Sequence, residues 1–328
     1  MHWVAGIDEA GYGPTLGPLV VSIAAFQGGD DLREGADRRG GLWRFLAPAV
    51  CRATAKPGIR VAVDDSKALY RSGSGLARLE EGVLAFVLAA SGSLPRTFED
   101  LLAAIGCDGA GEFDRLPWYR DRALPLPRAA EMERIDSGAR RLRERLEARS
   151  LRVRLVTHPV HEARLNERIL GAGNKAYALF EELLHLLRSA ADPGRLSPGS
   201  ELDVRVDQLG GRLYYVDLLR DAFPGTEIIA AGEGRGGSSY HVHGLFERMS
   251  IRFREKSDTT ELPVALASMV SKYVRELFME TFNRFWANGD SSLRPTAGYR
   301  TDALRFLDDI RVRAARMGIR EVDLVRIR

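Results

Sequence analysis

Apolar and polar positions along the chain change period several times, and each change marks an element. Residues 3 to 8 ("WVAGID") and the run from Pro18 ("PLVVSIAAF") are short and apolar, so both read as strands. The glycine-rich "GYGPTLG" between them suits an antiparallel pair. Residues 27 to 60 read as loop with some helix. "IRVAVDDSKAL" predicts a strand running into a charged turn, and "GLARLEEGVLAFVLAAS" has apolar residues at helical spacing. From Leu94 to about Pro127 the chain turns to Pro, Gly and scattered aromatics, and "RAAEMERIDSGARRLRERLEARS" follows as a highly charged helix. Residues 94–149 therefore read as an inserted segment or small flap, with the helix at 128–149 as a solvated face. Beyond it "LRVRLVTHPV" alternates as a strand, and residues 166 to 188 read as one long amphipathic helix. "ELDVRVDQLGG" and "TEIIAAG" are strands flanking a helix at "RLYYVDLLRDAF", and "RMSIRFREKSD" is one arm of a hairpin. Helices from Leu262 to Phe285 and from Thr301 to Met317 complete the pattern. Strands alternating with helices predict a single α/β sheet domain over residues 1–328, with no internal repeat.

Composition narrows the class. A chain of 328 residues with 45% apolar positions can bury a sizeable core. It has neither an apolar run long enough to span a membrane nor a basic, apolar leader, which predicts a soluble, cytoplasmic protein with no membrane partner. Cys51 and Cys107 have no metal-ligand spacing and cannot make a disulfide framework, in keeping with a reducing compartment. The net charge of +3 says little about nucleic acid, because binding depends on a local basic face. The choice of base says more. Of 48 basic residues only Lys56, Lys67, Lys175, Lys256 and Lys272 are lysine, which marks them as places where a compact ammonium matters.

Candidate chemistry lies where acids end apolar strands. Asp8 and Glu9 close the first strand, Asp207 closes "LDVRVD" and Asp258 follows "MSIRFREKS". Hard divalent cations take oxygen ligands, and such a set can hold two Mg²⁺ or Mn²⁺ about 4 Å apart around a phosphoryl displacement. Taken singly, each acid also suits a surface turn. Two other motifs carry less. "GEGRGG" at 232–237 fits Gly-x-Gly-x-x-Gly but leads into no helix, so a dinucleotide or phosphorylated small-molecule site has little behind it. His241 and His243 share one strand face but have no third ligand nearby in sequence, so they read as hairpin histidines.

The opening "GIDEAGYGPTLGP" resembles the signature of the type 2 ribonucleases H, ribonuclease HII and HIII. "DDSKAL", "EARLNERILGAGNKAYALF", "VRVDQLGGR", "EKSDTTELPVALASMVSKYVREL" and "TAGYRTDAL" are similar to further elements of that family, in the family's order. The resemblance implies a ribonuclease H-like mixed β-sheet flanked by helices. It implies a metal-dependent endoribonuclease that cleaves the RNA strand of RNA/DNA hybrids, or ribonucleotides embedded in duplex DNA, leaving 3′-hydroxyl and 5′-phosphate ends. Asp8, Glu9, Asp207 and Asp258 would be the catalytic, metal-binding acids for two Mg²⁺ or Mn²⁺ ions, with Asp8 shared by both. Gly11 and Gly13 would let main-chain groups read a 2′-hydroxyl. Lys67, Lys175, Lys256 and Lys272 would meet phosphates or balance the acids. Asn166 would bond the substrate backbone or cap its helix, and Tyr299 would pack on the sugar after the cleaved ribonucleotide. The family is usually monomeric.

One residue departs from the pattern. Ribonucleases of type HII carry arginine between the two glycines, and here the residue is Tyr12, a ring without a cation. The expectation is a changed substrate preference, with phosphate grip supplied elsewhere, for example by Arg294 or Arg300. The competing readings are a nuclease of the same fold with altered preference and a non-catalytic nucleic-acid-binding relative. Four clustered acids speak against the latter, because without metal they repel the phosphates a binder must attract.

Overall fold

The computed structural model describes residues 1–53, 60–70, 75–190, 199–209, 211–244 and 248–327; Lys56 lies outside them. In chain order the strands are β1 (His2–Ala10), β2 (Leu19–Gly28), β3 (Val50–Cys51), β4 (Val61–Ala62), β5 (Arg152–Val160), β6 (Glu201–Asp207), β7 (Glu227–Gly232), β8 (Ser238–His243) and β9 (Arg248–Arg254). The helices of the first half are α1 (Asp30–Asp37), α2 (Gly41–Phe45), α3 (Ser66–Leu69), α4 (Ala77–Ser91), α5 (Phe98–Ala104), α6 (Pro117–Arg120) and α7 (Met132–Ala148). Those of the second half are α8 (Glu162–Ala172), α9 (Lys175–Ala190), α10 (Val216–Ala222), α11 (Ser257–Thr260), α12 (Leu262–Ala287), α13 (Arg300–Arg316) and α14 (Glu321–Leu324).

Seven strands form one mixed sheet in the order β5-β2-β1-β6-β9-β8-β7, with helices on both faces, as the resemblance implies. β1 pairs antiparallel with β2 and parallel with β6, and β6 runs parallel to β9. Side-chain alternation along β1 sends Val4 into one core, with α4, α7 and α12, and Trp3, Ala5 and Ile7 into the other, with α8, α9 and α10. The long α12 lies directly on β1. A Cβ at Gly6 would fall 2.1 Å from the Val264 nitrogen, so only glycine lets helix and strand approach this closely.

Two expectations change. "IRVAVDDSKAL" contributes only the two-residue β4, paired with β3 in a separate small sheet, because Asp64 and Asp65 turn the chain at once into α3. The single helix over 166–188 is two, α8 and α9. Gly173 adopts a left-handed conformation that ends α8, and the Asn174 side chain accepts from Ala176 and Tyr177 to start α9. The 94–149 segment, read as an insertion or small flap, packs onto the body of the fold. Phe98, Leu101, Phe113, Trp118, Tyr119 and Leu142 are buried in the same core as α12.

A buried carboxylate ties that segment down. Glu80 on α4, fully buried, accepts from the backbone N–H of Arg128 (2.5 Å), Ala129 (2.6 Å) and Ala130 (2.7 Å) and from the Tyr273 hydroxyl (2.6 Å). An amide in its place would turn an NH₂ towards N–H donors. Glu80→Gln should therefore cost at least about 2 kcal/mol, read by urea unfolding, and an unchanged midpoint would refute this anchoring role.

Candidate active site

The sheet brings the acids together. β1, β6 and β9 are parallel neighbours, and Ile7 pairs with Val206, so Asp8 and Asp207 follow at adjacent strand ends. Beyond the tip of β9, Lys256 takes a left-handed turn and the chain enters α11 with Asp258. Loop residues outside the carboxyl ends of parallel strands are where α/β sheets place their ligands. Asp207 Oδ1 accepts from the backbone N–H of Ser257 at 2.8 Å, which fixes the turn against β6. On the helix side, Ser271 Oγ donates to the Asp8 carbonyl at 3.0 Å, while Ser268 bonds the Asp8 carboxyl and lies 3.1 Å from Ser66 Oγ. α3 and α12 thus meet over Asp8.

Burial pushes all four carboxyls above the ordinary range, and repulsion adds to it at Asp8, Glu9 and Asp258. Burial raises Asp8 well up, with further pushes from Glu9 and Asp207. Burial also raises Glu9, and Asp207 adds to it. Asp207 rises through burial, checked by the backbone N–H groups of Ser257, Gln208 and Lys256. Asp258 is pushed up to about 6 by burial, then by Asp65 and Asp207. Lys67, exposed at the start of α3, pulls the other way on Glu9, Asp207 and Asp258. An all-oxygen donor set this short of positive charge fits hard divalent cations.

Among the described residues, no three of these acids place ligand atoms within 4.8 Å of one another; the set that does is Asp108, His158 and His185, on other elements.

The remaining predicted residues divide. Gly11 has φ +92°, and a Cβ there would meet the Pro18 carbonyl at 2.6 Å, so the turn after β1 requires glycine. Gly13 is exposed with open space around it. Tyr12 is partly buried against the second core and feels the charge of Glu9, which places it beside the acids. Lys175 Nζ sits 4.9 Å over its ring, so a cation stands at Tyr12 after all, delivered by the first residue of α9. Arg294 and Arg300, the sequence-based choices for that role, are exposed. Tyr299 is 55% exposed at the start of α13, on the side of Tyr70. Lys272 belongs to the same patch, with Nζ 2.6 Å from Glu276 Oε1 and 4.6 Å over the Tyr70 ring. Lys256 contributes its backbone N–H to Asp207 while its side chain is exposed.

Asn166 lies within α8 rather than at its start, so it does not cap that helix. It is buried, its Nδ2 donates to the Val322 and Val325 carbonyls, and its Oδ1 accepts from the Ile327 N–H at 2.8 Å. Both amide hydrogens and Oδ1 bond the C-terminal segment. Asp65, two residues before Lys67 in "DDSKAL", also pushes on Asp258, and only its place in that motif pointed to it. Sequence reasoning missed Arg275, Arg326 and Glu162, buried groups that brace the glycine turn from behind.

No protein-family model matches the chain, and no curated protein matches it. The solved structures similar to it include ribonucleases H of types HII and HIII. RNase HII from Archaeoglobus fulgidus, solved in complex with PCNA, is 16% identical, with a TM-score of 0.44 over 99% of this chain and 94% of that one. Ribonuclease H2 from Pyrococcus horikoshii is 14% identical, with a TM-score of 0.39 over 98% of this chain and 92% of that one. Bst-RNase HIII in complex with Mn²⁺ is 15% identical, with a TM-score of 0.39 over 99% of this chain and 66% of that one.

Proposed function

We propose that the chain is a divergent type 2 ribonuclease H, a metal-dependent endoribonuclease acting on RNA within RNA/DNA duplexes. The observation that supports this reading is the placement of four oxygen-donor acids at or just beyond the ends of three parallel neighbouring strands, each raised by burial. Asp8, Glu9, Asp207 and Asp258 would hold two Mg²⁺ or Mn²⁺ ions, which when bound activate water and offset charge on the leaving oxygen. Lys67 faces the same acids and is placed to meet the phosphate carried between them. Exposed Gly13 lets main-chain groups approach a sugar closely, which suits recognition of a 2′-hydroxyl. The Tyr12 and Lys175 pair offers ring and cation together, and Tyr299 offers a second exposed ring for a sugar or base.

The test is cleavage of labelled duplexes with Mg²⁺ and separately Mn²⁺: one ribonucleotide in DNA, a run of several, a full hybrid and plain DNA. Cutting of ribonucleotide-containing duplexes and not of plain DNA is expected. Silence on every duplex would overturn the reading in favour of a binding protein. The Tyr12→Arg variant should shift cutting towards the lone ribonucleotide, and an unchanged ratio would show that Tyr12 does not set preference.

A further inference from the structure

Asp108, His158 and His185 come from three elements far apart in sequence: the turn after α5, strand β5 and helix α9. One ligand atom from each lies within 4.8 Å of the other two. His185 Nε2 is 2.5 Å from Asp108 Oδ2, and the two imidazole rings are 4.6 Å apart between centres.

His158 is 2% exposed, and both its ring nitrogens face acceptors. Nε2 lies 2.9 Å from Glu182 Oε2, and Nδ1 lies 3.2 Å from the Asp108 carbonyl. A neutral imidazole has one N–H and cannot serve both. If Nε2 donates to Glu182, the Nδ1 lone pair is left aimed at the Asp108 side, where a metal ion would take it. Glu182 is itself buried and anchored by Arg168, with Nε 3.2 Å from Oε1. A carboxylate behind an imidazole is the usual outer partner of a metal-ligating histidine. His185 and Asp108 are about half exposed, so an ion and a water ligand have access.

We propose that Asp108, His158 and His185 bind one divalent transition-metal ion, zinc best fitting two nitrogens and a carboxylate, with Glu182 orienting His158. The site is independent of the nuclease reading: its nitrogen donors do not suit Mg²⁺, and its residues are not among the acids of the cleft. The ion would clip the segment after α5 and the edge strand β5 to α9. That helix carries Lys175 ten residues before His185, about 15 Å along its axis, and Lys175 covers Tyr12. The clip thus holds the helix that brings a cation to Tyr12.

The test uses the full chain, stripped with a chelator and titrated with zinc chloride in excess Mg²⁺. One zinc per chain and a higher unfolding temperature are expected. Co²⁺ in its place should give the visible absorption of a four-coordinate, nitrogen-bearing site. His185→Ala and Asp108→Asn, both at half-exposed positions, should weaken zinc binding at least about tenfold and remove the Co²⁺ band. Asp8→Asn should leave both unchanged. Failure of the unaltered chain to bind zinc, wild-type affinity in His185→Ala, or loss of binding in Asp8→Asn would each overturn the proposal.

Discussion

Asp8→Asn is expected to lower hybrid cleavage by about a thousandfold or more and, in metal-free buffer, to raise the unfolding temperature. The two effects have one cause. Asp8 is 8% exposed and sits among Glu9 and Asp207, so its charge is held in the fold against both burial and repulsion. An asparagine of the same shape keeps the Ser271 bond to the main-chain carbonyl and removes that charge. Activity suffers because a bound divalent cation is worth several kcal/mol of transition-state stabilisation, and each 1.36 kcal/mol is about tenfold in rate. Cleavage assays with Mg²⁺, paired with thermal unfolding in a chelator, check both. Full activity in the variant would defeat the metal mechanism. A lowered unfolding temperature would mean that Ser268 and the backbone satisfy the carboxylate better than its neighbours strain it.

The parts of the site legible in the sequence are those whose meaning is local. An acid ending an apolar strand can be read within ten residues, and so can the glycine turn that follows β1. That these strand ends lie side by side follows from pairing of β1 with β6 and of β6 with β9, which no single stretch encodes. The break between α8 and α9 was visible in "GAGN", but the apolar period continues across it and masks the stop. The Asn166 side chain could not be assigned from its helix, because its partners are 156 to 161 residues away. The same holds for the histidine cluster: sequence drew attention to His241 and His243, neighbours on one strand, whereas His158 and His185 meet only through the packing of α9 on β5.

The bracing behind the glycine turn was the least legible feature, and its removal has the second large expected effect. Arg326, 2% exposed, donates to the carbonyls of Gly11, Tyr12 and Gly17, across as many as 315 residues of chain. Arg275, 1% exposed, donates to Leu16 and Ala297, and Glu162 accepts from the Gly17 N–H at 2.9 Å and the Tyr119 hydroxyl at 2.7 Å. Burial lowers Arg326 to about 10 and lifts Glu162 to about 7, and each holds the other partly in check. Arg326→Met leaves three carbonyls and a carboxylate without their donor or counter-charge, so it should cost about 3–5 kcal/mol of stability. The pH dependence has a definite sign. Glu162 keeps its proton in the fold to higher pH than in the unfolded chain, so stability falls as pH rises from about 4.5 through 7. Without Arg326 the folded carboxyl titrates higher still, and the deficit of the variant should be larger at pH 8 than at pH 6. Arg326→Lys restores the charge without the planar fork, so it should recover the pH dependence more fully than the stability. Urea unfolding of the three proteins at both pH values checks this. Equal midpoints for Arg326→Met and the unaltered chain would show that the turn beside Asp8 and Glu9 is held without Arg326.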